Sequence, residues 1–117
     1  MRAAALVGIP IIAVLAGCSG KALNIVADPT PASAHQVVIY DYKFKPQALT
    51  VPRGTTVSWV NRDTAPHTAT RRSISDEPFD SGNLTFEAGF SHTFQSTGTF
   101  HYLCIYHPGM QGTVVVE

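Results

Sequence analysis

A cysteine, a histidine and a methionine follow one another at intervals of three residues near the C-terminus of this chain. They are Cys104, His107 and Met110, in the segment Cys-Ile-Tyr-His-Pro-Gly-Met. A spacing of three does not fit one face of a strand, where side chains alternate with period two, and it is natural for a loop that folds back on itself. Thiolate, imidazole and thioether are together the donors of a mononuclear copper site.

Such a copper site takes two histidines and one cysteine in a trigonal set, with a long, weak methionine contact on the axis. The loop supplies all of these donors except one imidazole, and His67, which follows Pro66, is the candidate for it. Taken singly, these residue types more often serve as core or loop residues than as ligands. Met110 is the only methionine besides the initiator, however, and it falls at the required spacing. The predicted metal ligands are therefore His67, Cys104, His107 and Met110.

A rigid framework has to position these donors, and from residue 36 onward the apolar residues alternate with polar ones. Turn signals recur at short intervals. This pattern predicts an all-β domain, a β-sandwich of about seven to eight strands. Strands are expected at about 37–40, 49–51, 56–60, 68–70, 92–94, 100–104 and 112–117, with at most a short one at 83–86.

Strand parity predicts where Cys104 points. Phe100, Tyr102 and Cys104 share a parity, so two aromatic side chains should point inward on the same side as the thiol. His101 faces the other way. His101 and His92 are therefore predicted to be surface or cross-strand residues and not ligands.

The N-terminal residues have the composition of an export signal. The apolar run of residues 3–16 is shorter than the ~20 residues that a spanning helix needs. It ends in Leu-Ala-Gly-Cys, which resembles a bacterial lipobox. We therefore predict a signal peptide over residues 1–17, cleaved before Cys18, and a lipid anchor on Cys18. In the alternative, cleavage leaves Cys18 as an ordinary thiol.

The following residues, 18–35, are rich in Ala, Pro, Ser and Thr and are predicted to form a lipidated tether. The folded domain is then 36–117. Because lipid occupies Cys18 and metal occupies Cys104, no disulfide is predicted. These expectations together describe an extracytoplasmic, membrane-anchored lipoprotein, in the periplasm or on the outer cell surface.

The charge balance excludes one class of partner. Eight basic and eight acidic residues give a formal net charge of +0 at pH 7, and no basic run is present. Nucleic-acid recognition is therefore unsupported.

The motifs of the C-terminal half resemble those of the cupredoxin family, the small blue copper proteins. The resemblance rests on Cys-x-x-His-x-x-Met at 104–110, preceded by Gly-Thr-Phe-His-Tyr-Leu and followed by Gly-Thr-Val-Val-Val after one further residue. Upstream, the segments 44–46, 49–51, 54–61 and 66–67 also follow the family's pattern. The similarity runs from about residue 36 to residue 117. The short loop between His107 and Met110 is similar to that of the amicyanin-like branch, whereas plastocyanin-like loops are longer.

The resemblance implies a cupredoxin Greek-key β-sandwich with one type 1 copper, cycling between Cu(II) and Cu(I). It implies a monomeric shuttle of single electrons between extracytoplasmic redox partners, a c-type cytochrome or a dehydrogenase, and no enzymatic activity. The edge of His107, among Ile105, Tyr106 and Pro108, would be the electron port. Many members carry Asn after the first ligand His, where this chain has the shorter Thr68.

The same candidate residues also have to be compared with what other functions would need. A copper chaperone or storage protein is the alternative that stays open, and it would be expected to have several Met or His residues in an exposed, exchangeable site. A multicopper oxidase or nitrite reductase needs a second set of ligands, and His35, His92 and His101 form no recognisable cluster. A nucleophilic Cys104–His107 pair would leave Met110 and His67 unexplained.

Overall fold

Two β-sheets of four strands each make up the part of the chain that the structure, a computed structural model, describes: residues 29–73 and 77–117. The strands are β1 (Gln36–Tyr40), β2 (Lys43–Lys45), β3 (Ala48–Val51), β4 (Thr56–Asn61), β5 (Thr70–Arg71), β6 (Gly89–Thr93), β7 (Gly98–Cys104) and β8 (His107–Val116). The predicted all-β sandwich of about seven to eight strands is thereby confirmed. The predicted signal peptide and Cys18 lie outside the described residues.

The two sheets have the strand orders β2-β1-β4-β6 and β3-β8-β7-β5. Two pairs are parallel, β1 with β4 and β3 with β8, so the chain crosses between the sheets to reach these partners. β7 and β8 form the longest antiparallel pair, and its register is irregular between Leu103 and Cys104. No helix of the described residues is long and apolar enough to cross a membrane.

The core lies between the sheets and is largely aromatic. The Trp59 ring stacks on Phe79 at 5.6 Å between centroids and meets Tyr102 edge-on at 5.4 Å. Phe100, Tyr102 and Cys104 are all buried on one face of β7, as the alternation predicts. Cys104 is thus part of the hydrophobic core that holds β7 in place.

The strand prediction was wrong in several details, among them that β6 begins at Gly89 and not at residue 92, and that β8 begins at His107 and not at residue 112. β2 was not predicted, because three residues are too few to display an alternation. The segment 83–86, for which at most a short strand was expected, forms no strand, and Leu84 pairs in an isolated bridge with His67. The strand predicted at 68–70 begins at Thr70, because the preceding His67 backbone is already paired with Leu84.

Candidate metal centre

The turn that leads to His67 is fixed by the buried side chain of Asn61, the last residue of β4. Its amide nitrogen donates to the carbonyl oxygens of Ala65 at 2.9 Å and Leu84 at 2.8 Å, and its Oδ1 accepts from the Asp63 N–H at 2.8 Å. The His67 N–H then donates to the Leu84 carbonyl at 3.1 Å, and the Leu84 N–H donates to the His67 carbonyl at 2.8 Å. The backbone of His67 is therefore held on both sides.

His67 and Cys104 form the buried centre of the site. Nδ1 of His67 lies 3.7 Å from Sγ of Cys104, and neither residue is accessible to solvent. Cys104 is a free thiol within the described part of the chain. An imidazole nitrogen and a sulfur that face each other in the buried core can act as donors to one soft metal ion.

His107 and Met110 come from the loop and the first residues of β8. Cys104 and His107 are paired in the register, and the His107 ring lies 5.5 Å from the His67 ring, centroid to centroid. His107 is half-buried, whereas Met110 is only 7% exposed and belongs to the same core cluster as Cys104. The structure therefore places the two histidines side by side, and Met110 in the hydrophobic core that also contains Cys104.

The distances between the predicted donors show whether these residues already form a cluster of metal ligands. Over residues 29–73 and 77–117, no group of three or more His, Cys, Asp and Glu side chains is arranged to hold a metal ion. His67 and Cys104 are in contact, and the centroid of the His107 ring lies 5.5 Å from that of His67. The chemistry of the donor set nevertheless fits copper, because it joins one thiol and two imidazoles with a buried thioether.

Thr68 joins the segment of His67 to the loop of Cys104. Its hydroxyl oxygen accepts a hydrogen bond from the Ile105 N–H at 3.0 Å and another from the Thr70 hydroxyl at 2.9 Å. Although Thr is shorter than the Asn of many cupredoxins, its side chain reaches the loop. The two ligand segments are therefore tied together beside the thiol.

Asp63, which the sequence analysis missed, holds the second ring nitrogen of His67. Its Oδ2 lies 2.8 Å from His67 Nε2 and accepts from the Tyr42 N–H at 2.9 Å, while its Oδ1 accepts from the Asp41 N–H at 2.8 Å. Burial alone would raise the pKa of Asp63, but the hydrogen bonds from Tyr42, Asp41 and His67 outweigh it and leave the pKa below its ordinary value. The carboxylate thus favours the His67 tautomer with a proton on Nε2.

One signal in the sequence could have revealed this role of Asp63. The residue lies four positions before the predicted ligand His67, in the same polar turn. Tyr42, also missed, has its ring against both histidines. Nothing in the alternation of β1 and β2 indicated this contact.

The other histidines of the described chain contact other residues or solvent. Nδ1 of His101 lies 3.2 Å from the hydroxyl of Thr113, its partner across the β7–β8 pair. Nε2 of His92 lies 2.5 Å from Oε2 of Glu77, and His35 is exposed near the start of β1. His92 and His101 are therefore partly buried surface and cross-strand residues, as predicted.

Comparison with known proteins agrees with this arrangement. Residues 8–116 match the model of the family described as Cupredoxin-like domain. The chain is similar to amicyanin of Paracoccus versutus, with 32% identity over 95 residues, which cover 80% of this chain and 72% of the relative.

Solved structures with the same fold include copper proteins of two kinds. The Cu(I) form of an amicyanin mutant superimposes with a TM-score of 0.65 and 35% identity, covering 79% of this chain and 86% of that one. A Cu-containing nitrite reductase of Thermus scotoductus SA-01 superimposes with a TM-score of 0.67 and 29% identity, covering 81% of this chain and 25% of that one. The whole described fold thus corresponds to about a quarter of the enzyme.

Proposed function

The chain belongs to the cupredoxin family of electron-transfer proteins, and we propose that it shuttles single electrons between extracytoplasmic redox proteins with one type 1 copper. Bound copper would alternate between Cu(II) and Cu(I) and so carry one electron at a time. The observation that carries the proposal is the contact between Nδ1 of His67 and Sγ of Cys104, 3.7 Å apart in a fully buried pocket.

The residues that would hold the metal are His67, Cys104, His107 and Met110. Hydrogen bonds fix His67 at its backbone and at Nε2, and the Thr68 hydroxyl ties its segment to the loop of the thiol. Surroundings of this kind orient the ligands of a metal and tune its potential. A site whose side chains are held in this way favours electron transfer, because little has to move when the charge changes.

The route for electrons would be the half-buried ring of His107. Its neighbours Ile105 and Tyr106 are about half exposed, so the ring lies among apolar side chains at the surface. A small apolar surface suits brief docking. We therefore propose a redox protein as partner, either a c-type cytochrome or a dehydrogenase, for a monomeric carrier.

The location of the protein is a further part of the proposal. Residues 1–17 would be removed as a signal peptide, Cys18 would carry the lipid, and residues 18–35 would tether the domain of residues 36–117 to the membrane. Fractionation of expressing cells tests this. Native chain in the membrane pellet and Cys18→Ser chain in the soluble fraction are expected, and equal distribution of the two would contradict the anchor.

The second candidate is a copper chaperone or storage protein. Such a protein has to exchange its metal, so its donors should be open to a partner. Here Cys104 and His67 are fully buried and Met110 is 7% exposed. This burial favours a resident copper ion over a transferred one. Although a nitrite reductase shares the fold, we propose no enzymatic activity for this chain.

Absorption and EPR spectra of the full chain with one equivalent of Cu(II) test the proposal. An intense visible thiolate charge-transfer band and a narrow hyperfine splitting are expected. Cys104→Ser should abolish the band, and the matched variant Cys18→Ser should keep it. A fully loaded protein without the band, or one that takes up several Cu(I) ions, would contradict the carrier and favour storage or trafficking.

A further inference from the structure

Tyr42, in the turn between β1 and β2, places its ring against both predicted imidazole ligands. The Tyr42 ring centroid lies 5.0 Å from that of His67 with the planes at 87°, and 4.9 Å from that of His107 with the planes at 73°. The two imidazoles are themselves 5.5 Å apart. Three rings therefore meet edge to face, which is a favourable arrangement for aromatic groups.

The backbone holds Tyr42 in this place. Its φ is 57°, in the left-handed region that bulky residues seldom occupy, and the preceding Asp41 has a φ of 56°. Both backbone N–H groups donate to the Asp63 carboxylate, which also contacts Nε2 of His67. The same carboxylate thus fixes the turn and one imidazole, so the tyrosine and the histidine are positioned together.

Tyr42 is 50% exposed as a residue, and its ring also lies against the two histidines. A residue that served only to fill the surface would not need a strained backbone held by a partly buried carboxylate. Strain of this kind persists where the surrounding structure imposes it, and it is concentrated at functional sites.

Resting on the proposed function, we propose that Tyr42 is a positioning residue of the metal centre, which orients the His67 and His107 rings and keeps water from their edge. A shell that excludes water lowers the local dielectric constant and favours the less charged state of a bound ion. Removing the ring should therefore lower the reduction potential. It should also loosen His107, whose ring is half-buried and has fewer constraints than that of His67.

The test uses the full chain and three variants. Tyr42→Phe keeps the ring, Tyr42→Leu replaces it with a smaller side chain, and Phe86→Leu makes the same replacement at another aromatic residue of similar exposure, 52%, as a control. NMR of the metal-free protein gives the chemical shifts of the His67 and His107 ring protons. The copper-loaded protein gives the reduction potential and the rate of copper loss to a chelator.

Tyr42→Phe and Phe86→Leu should behave as the native chain does. Tyr42→Leu should shift the ring protons of both histidines, lower the potential and speed copper loss by about two- to tenfold, as expected for a lost aromatic contact. If Tyr42→Leu does not fold, Tyr42→Gly removes the ring and relieves the left-handed backbone, and the same changes are expected. Ring-proton shifts and a potential equal to those of the native chain would overturn the inference.

These readouts separate the two proposals. A native chain without the thiolate band would contradict the proposed function, while the metal-free NMR spectra would still report whether Tyr42 positions the two imidazoles. A normal band with no effect of Tyr42→Leu would contradict only the role of Tyr42.

Discussion

The hydroxyl oxygen of Thr68 accepts a hydrogen bond from the backbone N–H of Ile105 at 3.0 Å. This bond joins the residue after His67 to the residue after Cys104. It links two segments that are 37 positions apart in sequence. The side chain of Thr68 therefore helps to fix the relative position of the two buried residues His67 and Cys104.

Replacing Thr68 by Val should destabilise the protein and weaken copper retention. Val has nearly the same shape but leaves the Ile105 N–H without its partner, at a cost of about 1–3 kcal/mol, whereas the Thr70 hydroxyl can still donate to Oδ1 of Asp80. Urea unfolding of the metal-free protein measures this cost. Thr68→Ser keeps the hydroxyl and is the control. A Val variant as stable as the Ser variant would show that the bond contributes nothing.

The lowered pKa of Asp63 predicts a loss of stability in acid. Burial raises this pKa, but the hydrogen bonds from Tyr42, Asp41 and His67 lower it further than burial raises it. The unfolded chain therefore binds the proton first, at about pH 4, and the stability that the carboxylate contributes is lost as the pH falls below that value. Above it, the contribution is fully present.

Urea unfolding of the metal-free protein at a series of pH values between 7 and 2 tests this. The Asp63→Asn variant should be less stable at pH 7, and its free energy of unfolding should fall less steeply below about pH 4. Asp41→Asn is a neighbouring control, because that side chain is 70% exposed. If the free energies of unfolding of Asp63→Asn and of the native chain changed in parallel with pH, the Asp63 carboxylate would not be the cause of the loss of stability in acid.

The sequence predicted the sandwich, which is confirmed, and it proposed a set of metal donors, because both follow from short-range patterns. The spacing of Cys104, His107 and Met110 needs only one loop, and the parity of β7 correctly buried Cys104. Alternation reports which face of a strand is buried, but it does not report which strands and turns meet. The contacts of Asp63 with the backbone of Tyr42 and Asp41 span 21 and 22 positions and were visible only in the fold, whereas its contact with His67 spans four.

The hydroxyl of Tyr102 is a buried group whose removal should not harm the protein. It and the Trp59 indole N–H have no hydrogen-bond partner, although the two lie close together. Replacing Tyr102 by Phe removes the cost of burying an unpaired hydroxyl, so the free energy of unfolding should stay unchanged or rise by up to about 1–3 kcal/mol. A clear loss of stability in urea would show that Trp59 does satisfy the hydroxyl.

The same residue predicts a loss of stability in alkali. Burial raises the pKa of Tyr102 well above its ordinary value. The unfolded chain therefore loses the proton first, and stability falls as the pH rises above about 10. Tyr102→Phe should reduce this fall, whereas Tyr106→Phe, at a half-exposed tyrosine, should not.

Gly112 faces Tyr102 across the β7–β8 pair, and there is no room for a side chain between them. A Cβ at Gly112 would meet Cζ and the hydroxyl oxygen of Tyr102, well inside van der Waals contact. Gly112→Ala should therefore displace the ring and cost about 1–3 kcal/mol, as overpacking of a core does. Gly109→Ala is the matched control, because nothing lies within 4 Å of its added Cβ.

A double-mutant cycle decides whether the ring is the cause. Tyr102→Leu shortens the side chain that the new methyl group would meet, so Gly112→Ala should cost clearly less in that background than in the native chain. Tyr102 and Cys104 lie on the same buried face of β7. A displaced ring should therefore also perturb the thiolate band of the copper-loaded Gly112→Ala variant. Additive free energies and an unchanged band would instead place the strain in the backbone of β8.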